Sequence, residues 1–331
     1  MELFSPRRPS DLGRAGGDSL TELTLTCPRD GKPLTAEEDA LSCAGGHRYR
    51  VVDRIPILLD PYARPTQPGY WATEENEVYP ADERERATGD AVDEYVRWIL
   101  RGTCGNLYDA ERIRHYPIPD LPIGGPGRFL DLGSNWGRWT IAAARVGFDA
   151  VGIDPSLGAI RAARRVASQL SVPIDLVVAD ARHLPFPDES FDVVFSYSVL
   201  QHLSPADVEA SIAECARVLR PNGRALHQLP STHGALSLYR QARRLFRPAR
   251  GFEVRYWRPS ALQSLFEAVV GPTTLVPDAF LTLNPHAGEL AELSGRARAV
   301  VRGSRALTAL ARRVPPLAAA ADSLWVCSTR R

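Results

Sequence analysis

The sequence predicts an α/β fold with a doubly wound, mostly parallel sheet. Short apolar segments at residues 129–132, 151–154 and 191–197 have the pattern of buried strands. The first two are separated by the length of one helix, as a strand, helix and strand unit requires. Each segment ends near a polar residue or a glycine turn. This arrangement places polar groups at the carboxyl edge of the sheet, where open α/β sheets bind ligands.

The turn after the first strand is the most informative motif. Asp131, Gly133 and Gly137 form the pattern D-x-G-x-x-x-G. A dinucleotide-binding turn has glycines at its first, third and sixth positions, and counted from Gly133 the last two are Asn135 and Arg138. The glycines let the backbone approach a ligand, and the acid can order the loop or bind an ammonium group. The motif therefore predicts a nucleotide cofactor other than a nicotinamide.

These segments resemble the class I S-adenosylmethionine-dependent methyltransferases, in particular the methyltransferase type 11 and ubiquinone-methyltransferase-like domains. Motif I of that family is D-x-G-x-G-x-G, and Asn135 stands in place of its middle glycine. The resemblance extends over roughly 100 residues and four ordered elements. It implies S-adenosylmethionine as the cofactor and a Rossmann-like, seven-stranded sheet that ends in an antiparallel hairpin.

The resemblance also implies a set of cofactor contacts. The methionine part would lie against the first loop, which contributes Asp131, Gly133, Ser134, Asn135 and Gly137. Asp154 ends the second strand and can accept hydrogen bonds from both ribose hydroxyls. A third strand at 174–178 leads to Asp180 and Ala181, at the position that holds the adenine amino group in the family. Tyr197 ends the fourth strand.

The later strands follow in the family's order. A helix end, a turn and a fifth strand are predicted at residues 217–226, a sixth strand around 280–283, and the last strand at 323–327. Ser204 is predicted to cap a helix that begins at Pro205. Insertions at 231–259 and 287–316 interrupt the domain, and class I enzymes usually build their acceptor pocket from such insertions.

The loop after the fourth strand contains the candidate catalytic residues, Tyr197 and His202. In the family this loop lies beneath the transferring methyl group. A histidine has an ordinary pKa near 6.5, which suits a general base. Methyl transfer from a sulfonium depends mainly on in-line approach, so the alternative is that His202 orients the loop. His227 and His233 are rival bases.

The first insertion is rich in arginine. Arg240, Arg244 and Arg247 are predicted to share one helical face, and Ser260 is predicted to cap the next helix. Such a face can hold a phosphate or another anion, can contact an acidic membrane surface, or can simply be solvated. The aromatic residues at 256 and 257 are candidates for a wall of the acceptor site.

A second motif lies near the amino terminus. Cys27, Asp30, Cys43 and His47 have the spacing C-x2-D followed by C-x3-H. The segment resembles the zinc-ribbon-like module of tRNA-methyltransferase activator proteins and the zinc module of bacterial rRNA guanine-N1 methyltransferases, in which a cysteine stands at the aspartate position. Carboxylate oxygen is an acceptable zinc ligand, so the four residues can close a tetrahedral site. The alternative is a metal-free relic held by the apolar residues 55–59.

The domain organisation follows from these motifs. Residues 1–20 are predicted to be a disordered tail, 21–60 the zinc-ribbon-like module, 61–125 a linker with a helical cap, and 126–331 the methyltransferase domain. Within the linker, Val92, Tyr95, Val96 and Ile99 form a helical apolar stripe. The helix either caps the cofactor site or packs against the sheet.

Composition narrows the class of protein. The 331 residues are 44% hydrophobic, enough for one large domain and a smaller one. No apolar run approaches the length of a membrane span and the first 20 residues contain no apolar signal core, so the cytoplasm is the expected location. The five cysteines are an odd and scattered set, which does not indicate a disulfide framework.

The leading functional hypothesis is methyl transfer to a small-molecule acceptor: a natural product, lipid or sugar, with an anionic acceptor among the options. The first alternative is an RNA methyltransferase, suggested by the zinc-module resemblance. A net charge of +1 argues against it, because nucleic acid favours a basic protein. The second alternative is a non-catalytic interaction module, and the retained acids and glycines argue against that.

Overall fold

A computed structural model describes residues 23–67, 69–70, 91–103, 111, 113–121, 123–282, 290 and 293–331. The predicted tail at 1–20 and part of the predicted linker lie outside these residues. The strands in the described ranges are β1 (Leu34–Ala36), β2 (Ala40–Cys43), β3 (Arg48–Val52), β4 (Ile55–Leu58), β5 (Arg128–Leu132), β6 (Asp149–Asp154), β7 (Asp175–Ala179), β8 (Phe191–Tyr197), β9 (Leu219–Pro230), β10 (Thr273–Ala279) and β11 (Ser323–Thr329).

The helices in the same ranges surround the sheet. They are α1 (Glu94–Thr103), α2 (Arg138–Arg145), α3 (Leu157–Gln169), α4 (Pro205–Val218), α5 (Ala235–Arg243), α6 (Pro259–Val269), α7 (Gly295–Ala311) and α8 (Pro315–Ala318), with a 3-10 turn at Leu200–His202. None of the helices within the described ranges combines the length and the hydropathy needed to cross a membrane.

The predicted α/β architecture is confirmed. Seven strands lie in the order β7-β6-β5-β8-β9-β11-β10. The first five are parallel, and β11 runs antiparallel to both β9 and β10. Alternate residues face opposite sides of β5, so Leu130 packs towards α4 and α6 while Phe129 packs towards α2. Both faces of the sheet are therefore covered by helices.

The prediction of a sixth strand around residues 280–283 is wrong. The strand, β10, ends at Ala279 and contains Pro277, a residue that usually marks a loop. A proline is tolerated there because β10 is the outermost strand and its pairing is irregular between Pro277 and Ala279. Phe280 follows the strand and is buried in a separate cluster with Ala311 of α7.

The amino-terminal strands extend the same sheet. β1 to β4 form an antiparallel meander, and β4 then pairs in parallel with β7, with Ile57 opposite Val178. Ile55 and Ile57 pack against Leu157 of α3. Residues 34–58 are thus joined to the large sheet by main-chain hydrogen bonds and by a shared apolar cluster.

Tyr95, Val96 and Ile99 of the predicted stripe are in α1, which packs on α3, whereas Val92 precedes the helix. The Tyr95 hydroxyl donates to the Gly158 carbonyl over 2.9 Å, and Arg165 pairs with Asp93 at 3.2 Å.

The Ser204 cap is confirmed, since Ser204 Oγ accepts from the Asp207 N–H over 3.2 Å. The Ser260 cap is wrong: α6 begins at Pro259, whose fixed φ suits the first helical position.

The predicted arginine face is also wrong. α5 ends at Arg243, so Arg244 and Arg247 lie beyond the helix and do not continue the face of Arg240. Arg244 donates to the Val254 carbonyl over 2.9 Å, and Arg247 pairs with Glu253 at 2.6 Å. The helical periodicity gave no indication of this turn, because a leucine stands where glycine normally ends a helix.

Candidate functional site

A cavity of about 210 Å³ opens at the carboxyl edge of β5, β6 and β8. Its lining includes six residues proposed from the sequence: Gly133, Ser134, Asn135, Asp154, Tyr197 and His202. The parallel strands bring these residues together because their carboxyl ends share one edge of the sheet.

The glycine turn after β5 needs its glycines for backbone conformation and for space. Gly133 has a φ of 67°, and a Cβ there would lie 2.6 Å from Val199 Cγ2. Gly137 has a φ of 83°, and a Cβ would lie 2.9 Å from the Ala163 Cβ. Both positions therefore exclude other residues, and α2 begins immediately after the second glycine.

Asn135 fits the position of the missing middle glycine. Its φ is 51°, in the left-handed region that asparagine tolerates better than most residues. Its main-chain N–H donates to Asp154 Oδ2 over 3.0 Å, and its side-chain amide donates to the Tyr70 hydroxyl over 3.0 Å. Asparagine at position 135 thus preserves the turn, although the family motif has glycine there.

Asp154 presents a carboxylate to the cavity from the end of β6. The side chain is buried, and its second oxygen accepts from the Ser156 N–H over 2.9 Å. Burial raises the pKa of Asp154 to about 7, although the hydrogen bonds from Ser156, Asn135 and Tyr70 oppose the rise. A ligand that donates hydrogen bonds to this carboxyl would favour its charged form.

Ser134 and Asp131 have different roles in the same loop. The Ser134 Oγ atom is buried in the cavity wall with no hydrogen-bond partner among the described residues, so it is available to a ligand. Asp131 is buried outside the cavity lining and accepts from the Thr140 hydroxyl over 2.7 Å. Burial raises the pKa of Asp131 to about 7. The contacts of Asp131 therefore fit the alternative in which this acid orders the loop.

Asp180 and Ala181 lie outside the lining of this cavity, and their contact with adenine stays a prediction. The Asp180 carboxylate accepts from Arg182 over 2.9 Å, and His183 lies 3.4 Å from it. Burial opposes ionisation, but the hydrogen bonds from His183 and Arg182 outweigh it and lower the pKa of Asp180. Arg182 also pairs with Asp207 at 2.8 Å. The sequence could not indicate this competing ion pair.

Tyr197, at the end of β8, and His202, in the loop that follows, line the same cavity. Arg138 lies over the Tyr197 ring at 5.2 Å. The His202 ring stacks on Phe252 with centroids 4.1 Å apart, and its Nδ1 donates to the Phe252 carbonyl over 2.8 Å. Burial lowers the pKa of His202 to about 4. The imidazole is therefore neutral and weakly basic at pH 7.

The rival bases do not reach the cavity lining. His227 lies buried within β9, where the hydroxyl of Ser196 lies 2.8 Å from its Nδ1, and its ring contacts Phe266. Burial lowers the pKa of His227 to about 3. His233 is exposed and also absent from the lining.

Sequence reasoning missed part of the wall. Trp136, Arg138 and Trp139 lie within the motif itself and could have been included. Pro155, Ser198, Val199 and Leu203 adjoin predicted residues, whereas the remaining missed residues come from distant segments and give no local signal. They are Thr66, Gln67, Tyr70 and Phe252. Gln67 donates to the His202 carbonyl over 2.9 Å, so Thr66, Gln67 and Tyr70 bring a distant segment into the cavity wall.

The predicted metal ligands converge in the amino-terminal segment. Four ligand atoms lie within 4.8 Å of one another, one each from Cys27, Asp30, Cys43 and His47. His47 Nδ1 lies 3.3 Å from Cys27 Sγ, 3.5 Å from Cys43 Sγ and 3.5 Å from Asp30 Oδ2. Zinc bonds of about 2.3 Å to sulfur and about 2.0 Å to nitrogen give tetrahedral edges of about 3.3–3.6 Å from the histidine nitrogen to the other three ligands. The donor set therefore fits zinc.

Two neighbours support this geometry. A Cβ on Gly45 would lie 2.1 Å from Asp30 Oδ2, so glycine is required beside the ligands. The Tyr49 hydroxyl lies 3.2 Å from Cys27 Sγ, as an outer hydrogen bond to a metal-bound thiolate would. The contact between Tyr49 and Cys27 links β3 to the ligand cluster.

Comparison with known proteins agrees with the fold and the glycine turn. Residues 130–227 match a family model described as a methyltransferase domain. A ubiquinone biosynthesis O-methyltransferase from Rhizobium etli is 38% identical over 29% of this chain and 38% of its own length. The enzyme of the same name from Agrobacterium fabrum is 35% identical over 39% of this chain and 48% of its own length.

The match is thus limited to the domain, since the chain spans less than half the length of these two relatives. Among solved structures, an S-adenosylmethionine-dependent methyltransferase from Archaeoglobus fulgidus is 14% identical, with a TM-score of 0.43 over 72% of this chain and 94% of that one. Residues 130–227 thus form a methyltransferase domain.

Proposed function

We propose that the protein transfers a methyl group from S-adenosylmethionine to a small lipid-type acceptor. The observation that carries the proposal is the cavity, in which the glycine turn, the Ser134 hydroxyl and the Asp154 carboxylate face one space. The acceptor class is supported by the relatives named ubiquinone biosynthesis O-methyltransferases. The proposal also covers a natural product or a sugar as the methyl acceptor.

The cofactor would supply the methyl group from its sulfonium, and the protein would bind and orient it. Asp154 would accept hydrogen bonds from the ribose hydroxyls, and Ser134 would bond the methionine part through its unpartnered Oγ. Tyr70 bonds both Asn135 and the Asp154 carboxyl, so its segment would close over the bound molecule. Such closure excludes water and fixes the methyl donor for in-line transfer.

His202 is proposed as a positioning residue. Its pKa of about 4 makes it a poor proton acceptor, whereas its contacts with Phe252 and the Gln67 bond to its carbonyl tie three segments of the wall together. Tyr197, Trp139 and Phe252 supply an aromatic surface for a planar acceptor. Arg138 is the arginine of the described lining, so contact with an anionic acceptor falls to it and not to Arg240, Arg244 or Arg247.

The test is methyl transfer to a panel of acceptors. The purified protein would be incubated with labelled cofactor and with a lipid catechol, a sugar or bulk rRNA. Label in the lipid catechol is the expected result. Label in rRNA alone would favour the RNA alternative, and cofactor binding without transfer to any acceptor would favour the non-catalytic one.

A second proposal concerns Cys27, Asp30, Cys43 and His47. We propose that they bind zinc as a structural ion, because the three distances from His47 Nδ1 fit a tetrahedral site and four protein ligands leave no open position. The ion would fix the β1 to β3 meander, which β4 joins to the large sheet.

A further inference from the structure

The segment from residue 235 to 258, within the first insertion, exposes an unusual amount of apolar surface. Leu245 is 87% exposed and Phe246 is 66% exposed. Tyr239, Phe252 and Leu238 add exposed fractions of 58%, 51% and 47%. Single exposed apolar residues need no explanation, but five within fifteen residues are a concentration that calls for a partner.

The backbone at the tip of this segment is strained. The Phe246 N–H bonds the Gln241 carbonyl and the Leu245 N–H bonds the Ala242 carbonyl, each over 2.8 Å. These two bonds define a Schellman helix end, in which the residue at the position of Leu245 is normally glycine. Leu245 and Phe246 both have a φ of 54°. Two bulky residues therefore hold a left-handed conformation while projecting into solvent, a pattern found at functional sites.

The same segment is strongly basic. It contains seven arginines and a single acid, Glu253, which pairs with Arg247. Arg240, Arg250 and Arg258 are exposed, and their side chains form no ion pair or hydrogen bond with any described residue. The segment therefore carries a local excess of positive charge, although the whole chain has a net charge of +1.

The segment also borders the cofactor cavity. Phe252 lines the cavity, stacks on His202, and accepts a hydrogen bond from it. Arg255 donates to the His202 carbonyl over 2.9 Å. The exposed apolar tip and the cavity mouth therefore belong to one continuous piece of chain.

We infer that residues 235–258 dock on an anionic lipid bilayer, with Leu245 and Phe246 inserted among the acyl chains and the arginines against the headgroups. The combination of apolar tips and a basic surround is the pattern of interfacial membrane binding. Docking would bring the cavity mouth to a membrane-dissolved acceptor, and this link to an acceptor rests on the proposed function. A bilayer is favoured over an RNA surface because Leu245, the most exposed large apolar side chain of the segment, is aliphatic and offers no ring on which a base can stack.

The experiment is sedimentation of the full chain with vesicles of phosphatidylglycerol and phosphatidylcholine, or of phosphatidylcholine alone. The informative variant is Leu245→Asn with Phe246→Asn, because asparagine is polar and accepts the left-handed backbone. We expect its partitioning onto phosphatidylglycerol vesicles to fall on the order of 100-fold. Arg240→Gln with Arg250→Gln and Arg258→Gln should lose about fivefold per arginine at low salt.

The matched control is Val146→Ser with Val269→Ser, two exposed valines at the opposite edge of the sheet. This control should partition like the parent chain, and all variants should bind S-adenosylhomocysteine equally in calorimetry. That last measurement separates a failure of docking from a failure of the cofactor site. Absence of binding to phosphatidylglycerol vesicles, or unchanged partitioning of the asparagine variant, would overturn the inference. Arginine-dependent binding of bulk rRNA that is tighter than vesicle binding would overturn it in favour of a nucleic-acid surface.

Discussion

The main-chain N–H of Asn135 donates a hydrogen bond to Asp154 Oδ2 over 3.0 Å. This bond joins the glycine turn after β5 to the end of β6, so the two parts of the cofactor site have a fixed separation. It also explains why asparagine is accepted in place of glycine, since the left-handed turn directs the N–H towards the acid.

The first prediction concerns that turn. Asn135→Gly should change the free energy of unfolding by less than about 0.5 kcal/mol, whereas Asn135→Val should cost about 1–2 kcal/mol because a β-branched residue is strained at this φ. Urea unfolding measures the difference. Asn222→Val is the control, since Asn222 also has a positive φ, of 62°, but lies in the β9 turn. Both valine variants should be destabilised, and only the one at Asn135 should bind S-adenosylhomocysteine more weakly.

The second prediction concerns pH. The neutral form of Asp154 prevails below its pKa of about 7, and hydrogen bonds from ribose hydroxyls favour the charged form. Affinity for S-adenosylhomocysteine should therefore rise as the pH increases, by up to about tenfold between pH 6 and pH 8. Titration calorimetry at several pH values checks this, with Asp154→Ala expected to reduce the dependence. A flat profile, or affinity that falls with pH, would show that Asp154 does not act in this way.

The third prediction concerns zinc. The protein prepared without chelator should contain one zinc per chain, and Cys43→Ser should lose both the metal and part of the stability of the meander. Cys327→Ser is the control, because Cys327 is a free cysteine in β11, away from the ligands. Elemental analysis that finds no zinc in the parent chain would leave the metal-free relic as the explanation.

The fourth prediction separates the two roles of His202. A general base contributes about 10²- to 10⁴-fold to a rate, whereas a positioning residue contributes less. His202→Asn retains a side-chain donor for the Phe252 carbonyl and should lower kcat by less than about tenfold. The rate between pH 6 and pH 8 should show no inflection due to His202, whose pKa is about 4. A loss of more than about 100-fold that affects kcat alone would restore the base role.

The sequence predicted the parts of the site that lie near strand ends. Gly133, Asp154 and Tyr197 follow apolar strands, and parallel pairing brings such residues to one edge. Tyr70 was missed because it reaches Asn135 across 65 positions of the chain, a contact that no local pattern reveals.

Other contacts could not be predicted because they depend on the local environment of each residue. Arg182, two residues from Asp180, bonds its carboxylate, a contact that the sequence analysis did not include. Leu245 ends a helix at a position that favours glycine, so the arginine spacing was extended too far. Pro277 concealed β10 because the rule against proline in strands does not hold at a sheet edge.

Binding of S-adenosylhomocysteine by Asp154→Ala, compared with Asp149→Ala, tests the cofactor assignment most directly. Both acids belong to β6, but Asp154 faces the cavity whereas Asp149 is exposed at the opposite end and pairs with Arg128. Asp154→Ala should lose about 1.5–3 kcal/mol of binding free energy in calorimetry, because charge-assisted hydrogen bonds to the ribose are removed. Asp149→Ala should bind as the parent chain does. Equal affinity of the Asp154→Ala variant and the parent chain would contradict the proposed cofactor site.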